Sequence, residues 1–191
     1  MFSAGISRSD LYTKLFMLNL TNKNGSLYPN TQTAETFIDF NAVYFFKKDV
    51  WKLKPLVGFG YSPQGFTEKG VAYNDSQKLV DYSLALKMDY ISFYGGFLYK
   101  ILSNNSLNIK FTQTVNPMID ISPSKGLFRK FAVSVRSNLL IDCKFKSGGV
   151  ACISPFFQTC VTRFNKNQNN PKSPNYYPYS YGITIGTYFK H

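Results

Sequence analysis

Apolar and polar residues alternate with a period of two along most of this chain. In the first segment, Phe2, Ala4 and Ile6 alternate with small or polar neighbours. Such alternation is typical of β-strands whose two faces meet different surroundings. The same pattern predicts seven further strands, at Thr36–Phe46, Trp51–Ser62, Val80–Met88, Ile91–Ile101, Phe131–Asp142, Val150–Val161 and Tyr179–Phe189.

The predicted connections alternate strictly between short and long. The short ones are Lys47–Asp49, Met88–Asp89 and Lys146–Gly149. The long ones are rich in Asn, Ser, Gly and Pro and cover Met17–Glu35, Thr67–Gln77, Ser103–Leu127 and Arg163–Tyr177. Short turns at one end and long loops at the other are typical of bacterial outer-membrane barrels. We therefore predict one domain over residues 1–191, an all-β, eight-stranded antiparallel up-and-down transmembrane β-barrel with short periplasmic turns and long extracellular loops.

The two faces of the predicted strands differ in bulk. One face carries small residues such as Gly58, Gly60 and Ser62, and the other is largely aromatic. Because an eight-stranded barrel has an interior only just wide enough for side chains, we predict that the aromatic face points to lipid. The residues predicted on this face or at its interfacial girdle are Phe40, Tyr44, Phe46, Trp51, Phe59, Tyr82, Phe93, Tyr99 and Phe131, with Tyr90 beside the second short turn.

Several charged residues fall on the polar face and are predicted to line the lumen. Isolated charges in so narrow a space are costly, so we expect them to pair or to contact trapped water. A plug of ion pairs and water is the main interpretation, and a polar channel or proton path is the alternative. The predicted lumen residues are Lys52, Lys54, Asp81, Lys87, Lys100, Lys130, Arg136 and Asp142.

Composition and charge narrow the possible functions. The chain has no run of about 18 apolar residues, so no transmembrane helix is predicted. The net charge of +12 first suggests nucleic acid, but the cations are scattered and no cluster of five appears. We therefore predict no nucleic-acid partner. Outer-membrane lipid and the phosphates of lipopolysaccharide are the expected neighbours of loop and turn lysines.

No catalytic or metal-binding motif is found. The single histidine is the last residue, His191, and neither a phosphate-binding loop, HExxH nor GxSxG occurs. We predict no enzyme activity, no cofactor and no metal. Cys143 and Cys152 could face each other across a hairpin, but unpaired thiols are the expected state of these two residues and of Cys160.

The N-terminal sequence MFSAGISRSD has neither a basic nor an apolar signal region. For a protein of the bacterial outer membrane, this predicts a mature chain whose signal peptide has been removed.

The stretch Gly58–Phe66, with the sequence GFGYSPQGF, resembles the third strand of the PorT-like outer-membrane β-barrel proteins of Bacteroidota, which carries a YS-x-x-G motif. Asp81–Lys87 is similar to the strand that follows in that family. The tail resembles its closing strand and the signal read by the barrel-assembly machinery, with Tyr181, Ile183, Ile185 and Phe189 on one face. The resemblance implies an outer-membrane barrel, and some relatives are accessory parts of secretion or other envelope complexes.

Three functions follow from these patterns. The leading hypothesis is a non-enzymatic barrel that serves as an accessory or structural subunit of a cell-envelope complex for secretion, assembly or uptake. The second is a stand-alone barrel that stabilises the membrane or passes small solutes. The third is a soluble lipocalin-like carrier of apolar ligands, in which the apolar face would point inward.

Overall fold

Eight antiparallel strands close into a barrel in the computed structural model. The structure describes residues 1–13, 21–22, 25–26, 31–46, 53–73, 79–104, 107–122, 130–145, 149–162 and 176–189. The barrel strands are β1 (Phe2–Thr13), β4 (Thr31–Phe45), β5 (Leu53–Tyr73), β6 (Leu79–Ser103), β7 (Leu107–Asp120), β8 (Phe131–Lys144), β9 (Gly149–Cys160) and β10 (Tyr176–Phe189). A two-stranded hairpin of β2 (Thr21–Asn22) and β3 (Gly25–Ser26) lies between β1 and β4.

From β4 to β10, each barrel strand pairs with the next one along the chain, and β1 closes the ring between β10 and β4. Ile6 of β1 faces Ile183 of β10 on one side and Ile38 of β4 on the other. This closure confirms the predicted eight-stranded antiparallel barrel. We call the end that carries connections 46–52, 104–106 and 145–148 the lower end, and the opposite end the upper end. The first residue of β1 and the last residue of β10 both lie at the lower end.

The predicted short turn at Met88–Asp89 is wrong, because β6 runs through it without a break. The apolar residues lie at even positions from Val80 to Met88 and at odd positions from Ile91 onwards, which imitates two strands joined by a turn. In the structure the strand continues without a turn, and its outward residues change from apolar to charged. Below this point the outer face is apolar, and above it Lys87 and Asp89 form an ion pair with an N–O distance of 3.5 Å.

The predicted loop Ser103–Leu127 is also wrong, because it contains strand β7. Its outward residues include Ile109, Phe111 and Val115, and the inward ones are Asn, Lys, Thr and Met. The polar residues and Pro117 imitate a loop, although Pro117 pairs with Val133 of β8. The prediction missed β7 but counted β6 as two strands, so its total of eight strands is still correct.

The strict alternation of short and long connections does not hold. Residues 67–73, predicted as part of a loop, belong to β5, and only residues 74–78 separate β5 from β6 at the upper end. At the lower end, residues 46–52 separate β4 from β5, which is a longer connection than that upper one. The hairpin of β5 and β6 is therefore taller than the rest of the barrel.

The outer wall of the barrel is apolar, as predicted. Phe59 is 62% exposed and Ile183 is 55% exposed, although both lie in the middle of paired strands. A polar pair interrupts this wall, where the hydroxyl group of Ser137 donates to Oε1 of Gln113 at 2.7 Å. The predicted aromatics exposed on the wall are Phe40, Tyr44, Phe46, Phe59, Phe93, Tyr99 and Phe131, joined by Tyr181 and Ile185 of β10.

Four of the predicted wall or girdle residues differ from this set. Trp51 lies outside the described residues, as do the side chains of Tyr82 and Phe189. Tyr90 was expected at the membrane interface and instead lies fully buried in the interior. The reason is that the uninterrupted β6 keeps even-numbered residues on its inner face.

Small residues on the inner face let neighbouring strands and side chains approach closely. A Cβ atom at Gly60 would meet the side chains of Asn41 and Tyr94, and one at Gly96 would meet the backbone of Gln113. At Gly95, on the outer face, the same atom would meet nothing within 4 Å. The glycines on the face of small residues therefore make room inside the barrel, as the sequence predicted.

Candidate functional site

The interior of the barrel is arranged in layers along its axis. An upper apolar layer consists of Met88, Tyr90, Met118, Ala132 and Cys160. A lower apolar layer consists of Leu56, Tyr94 and Leu98, with Val43 and Phe45 packed against it. Buried polar residues fill the space between the two layers, among them Asp39, Ser92, Asn116, Ser134, Arg136 and Gln158.

Arg136 is the central cation of the polar layer. It lies on β8 and is almost fully buried. Its guanidinium carbon lies 3.6 Å from the centre of the Phe156 ring on β9, which is a cation–π contact. Its Nε donates to the side-chain oxygen of Asn138 at 3.0 Å. Packing and hydrogen bonding thus hold this charge in one orientation.

Asp39 supplies a negative charge within electrostatic range of Arg136. It is buried on β4, and no ion pair within 4 Å joins the two groups in the described structure. A cavity of about 40 Å³ lies beside Arg136 and is also lined by Asn41 and Tyr94. Asp39 does not line this cavity, which has room for roughly two or three water molecules beside Arg136.

Tyr94 joins the polar layer to the lower apolar layer. Its ring packs with Leu56 and Leu98, and its hydroxyl donates to the side-chain oxygen of Asn41. The residues Val43 and Phe45, which blur the polar face of β4 in the sequence, extend this packing. On the facing strands, the cavity beside Arg136 is lined by polar residues, among them Thr112, Asn138, Ser154 and Thr184, so the apolar packing covers one side of the interior at this level.

A buried ion pair lies below this layer, between Lys110 of β7 and Asp142 of β8. The side chain of Asp142 is 0% exposed and that of Lys110 is 16% exposed. Sequence reasoning placed Asp142 inside the barrel but missed its partner, because β7 was assigned to a loop. The alternation of Ile109, Phe111 and Val115 was the signal that could have found it.

Four lysines line one side of the lower opening on consecutive strands, and we call this group the lysine mouth. It consists of Lys54 on β5, Lys100 on β6, Lys110 on β7 and Lys144 on β8. All four follow the inward parity of their strands. Lys100 is exposed, Lys54 and Lys144 are partly buried, and Nζ of Lys144 donates to the backbone oxygen of Asn104 at 2.8 Å.

The predicted lumen residues fall into three groups. Arg136 and Asp142 lie inside the barrel, and Lys54 and Lys100 lie at its lower opening. Lys52 lies outside the described residues. The lumen assignment is wrong for three residues, namely Asp81, Lys87 and Lys130.

These three errors have related causes. Lys87 is 58% exposed on the outer wall, because the unbroken β6 gives odd-numbered residues the outward direction. Asp81 has the same parity and is exposed near the start of β6. Lys130 precedes the first residue of β8 and is exposed at the upper rim, so it is too far along the axis to reach the interior.

The three cysteines are free thiols, as expected. Cys143 is exposed, whereas Cys152 and Cys160 are buried. Cys143 pairs with Ala151, and Cys152 pairs with Asp142, so the two thiols point to opposite faces of the β8–β9 hairpin. This geometry explains why the possible Cys143–Cys152 disulfide does not form.

No group of three His, Cys, Asp or Glu residues in the described ranges could hold a metal ion. The same ranges contain no helix long and apolar enough to cross a membrane. Among the described residues of the interior, the buried acidic groups are Asp142, which pairs with Lys110, and Asp39, which lies within electrostatic range of Arg136.

Two solved structures are similar to this chain. One is the outer membrane enzyme PagL, which is 10% identical, with a TM-score of 0.46 over 97% of this chain and 97% of that chain. The other is Neisserial surface protein A (NspA), which is 6% identical, with a TM-score of 0.49 over 96% of this chain and 93% of that chain. No protein-family model and no curated protein matches the sequence.

Proposed function

We propose that this protein is an integral barrel of the bacterial outer membrane that acts without enzymatic chemistry, as an accessory or structural subunit of a cell-envelope complex. The observation that carries the proposal is the apolar outer wall. Soluble monomers rarely expose contiguous apolar patches of more than a few hundred Å². A closed barrel with aromatic and aliphatic residues exposed on every strand needs lipid around it.

The height of the apolar wall supports a membrane location. On β6 the outward apolar residues extend from Ile91 to Ile101. A segment of about 11 residues at ~3.3 Å each, tilted by about 45°, spans roughly 25 Å, which matches the apolar band of outer-membrane barrels. At the upper edge, Asp89 accepts a hydrogen bond from Tyr61 at 2.6 Å and pairs with Lys87. Such a polar group suits the interface between hydrocarbon and headgroups.

The layered interior favours a structural role over conduction. Met88 and Met118 are fully buried above the polar layer, and Leu56 and Leu98 pack on one side of the interior below it. A continuous water column would have to displace the upper apolar layer, and the cavity below it has a volume of only about 40 Å³. The lipocalin-like alternative is weaker still, because a carrier of apolar ligands would turn its apolar face inward and leave a large calyx. The cavity of about 40 Å³ is too small for such a ligand.

The accessory role draws on the resemblance of Gly58–Phe66 to the PorT-like barrels of Bacteroidota. A tightly filled barrel offers its rims and its outer wall, rather than its lumen, as surfaces for other proteins. The predicted partners are outer-membrane lipid, lipopolysaccharide, the barrel-assembly machinery during insertion and another envelope protein.

Extraction tests the membrane proposal. Membranes containing the full chain are washed with alkaline carbonate and then dissolved in mild detergent, and samples are run on SDS gels with and without boiling. We expect release only by detergent and a faster-migrating form without boiling, because a closed barrel resists SDS. A protein that stays in aqueous buffer without detergent contradicts the proposal.

Purification in mild detergent tests the accessory role. A subunit should co-purify with a partner at fixed stoichiometry through two unrelated detergents. A barrel that is monomeric and alone in both would favour the stand-alone function.

A further inference from the structure

The pairing of β4 with β5 shifts by one residue near the upper edge of the apolar wall. Ala34 pairs with Phe66 and Phe40 pairs with Tyr61, so β4 has one residue more than β5 between these two pairs. An extra residue of this kind is a β-bulge, which disrupts the local pairing and bends the strand. The pairing of β4 with β1 continues without a shift over residues 35–42. The distortion is therefore confined to the side of β4 that faces β5.

A groove of about 550 Å³ lies on the outer wall beside this bulge, and we call it the seam groove. It is lined by Ile6 of β1, residues 36–38 and Phe40 of β4, Tyr61 and Pro63 of β5, and Lys87 of β6. Phe37 pairs with the inward residue Ser7 and is buried, so the groove reaches deeper than the surface of the wall. The volume lies within the range of about 300–1,000 Å³ that is usual for ligand pockets.

The seam groove changes from apolar to polar along the barrel axis. Ile38 and Phe40 line its lower part and are more than half exposed at the level of the apolar wall. Thr36, which is also exposed, and Lys87 line its upper part. Lys87 lies four residues above Ile91, where the apolar wall begins on β6, or about 13 Å along the strand. A ligand that fits both parts has a hydrocarbon chain and a polar end.

Of the described residues that line the groove, only Lys87 carries a charge. Its ammonium group lies 3.5 Å from Asp89, which also accepts a hydrogen bond from the hydroxyl of Tyr61. Because an ammonium group has several N–H donors, Lys87 can contact an anionic oxygen and keep Asp89 as a neighbour. Asp89 limits the net positive charge at this point, and it would repel further negative charges. The upper part therefore suits one phosphate group better than a polyanion.

We propose that the seam groove binds one lipid molecule, with an acyl chain along Ile38 and Phe40 and its phosphate at Lys87. This inference rests on the proposed membrane location and names the ligand of one site on the wall. The groove opens onto the hydrocarbon-facing surface, and its cation lies where headgroups begin. A soluble anion has no chain for the apolar part, and a transmembrane segment of another protein has no phosphate for Lys87.

Native mass spectrometry of the full-length barrel in detergent tests this assignment. The probes are phosphatidylglycerol and a diacylglycerol with the same acyl chains, and inorganic phosphate is added as a competitor. We expect one phosphatidylglycerol molecule to be retained per barrel and diacylglycerol to bind about fivefold more weakly. Millimolar inorganic phosphate should not displace the lipid. Equal retention of the two lipids, or displacement by inorganic phosphate, would overturn the proposal.

Two pairs of variants locate the site. Lys87→Gln should weaken phosphatidylglycerol binding about fivefold and leave diacylglycerol binding unchanged, whereas Lys130→Gln at the upper rim should change neither. Ile38→Trp fills the groove and should weaken both lipids about tenfold, the loss expected when about two methylene groups leave an apolar site. Ile153→Trp is its control, since Ile153 is about half exposed on β9, outside the groove. Equal effects within either pair would overturn the assignment to the seam groove.

The heat-modifiable migration of each variant is measured beside its lipid binding. A variant that keeps this migration and loses binding supports the seam groove, and the Lys87→Gln pair decides the matter if Ile38→Trp does not fold. A barrel dimer that Ile38→Trp dissociates would mean that a second copy fills the groove, which overturns the assignment to lipid. A folded wild-type barrel that retains neither lipid refutes the seam groove and leaves the membrane proposal intact. Failure of the membrane proposal would instead be seen in the extraction experiment.

Discussion

Phe93 and Tyr94 are neighbours on β6, yet their surroundings have little in common. Phe93 is about half exposed on the outer wall, whereas Tyr94 is buried and donates a hydrogen bond to Asn41. Outer-wall side chains such as Phe93 must be apolar, but their shape is loosely constrained because lipid adapts to them. Interior side chains can be polar or charged, but each must fit its neighbours and satisfy its hydrogen bonds. Substitutions in the interior and on the outer wall test this difference.

Lys110→Met tests the demand for charge pairing inside. It leaves the fully buried carboxylate of Asp142 without its ion-pair partner, which should cost about 3–5 kcal/mol. The double variant Lys110→Met with Asp142→Leu should recover most of that loss. Urea unfolding in detergent, followed by tryptophan fluorescence, gives the free energies. Lys100→Met is the control at the exposed rim. If Lys100→Met and Lys110→Met lower the free energy of unfolding by the same amount, the ion pair contributes nothing to stability.

Val57→Lys tests the demand for apolar residues on the outer wall. Val57 is about half exposed near the middle of the apolar wall, opposite Gly95. A lysine at this depth in a bilayer should destabilise the barrel by about 2–4 kcal/mol. Phe145→Lys, exposed at the lower end, should cost about 0–1 kcal/mol. Refolding into lipid vesicles with urea titration measures both, and equal values would argue against membrane immersion.

Gly96→Val and Gly95→Val compare the two faces at adjacent positions. The inward valine would collide with the backbone of Gln113 and should cost about 1–3 kcal/mol, while the outward one has open space. Gly95→Val should be neutral or slightly stabilising, since valine favours strands. The fraction of heat-modifiable protein after refolding is the measurement. A larger loss for Gly95→Val would reverse the assignment of the two faces.

The period-two pattern predicted the barrel and the direction of its faces, because both follow from local alternation and the volume of the residues. It failed where the apolar residues move from even to odd positions although the strand has no turn. At Met88–Asp89 the phase changes where the outer wall becomes polar, and a local pattern cannot distinguish that change from a turn. In β7 the inward residues are so polar that the segment was predicted as a loop. Lys110 was therefore not predicted to lie inside the barrel.

The alternation and bulk of the residues were enough to predict a β-barrel and to favour aromatic rings outward and small residues inward, because an eight-stranded tube has little room inside. Which side chains meet inside the barrel could not be read from the alternation. The pairing of Lys110 with Asp142, the contact of Arg136 with Phe156 and the grouping of the lysine mouth depend on strand register. Register is set by hydrogen bonds and packing between strands, and the alternation within a single strand does not specify it.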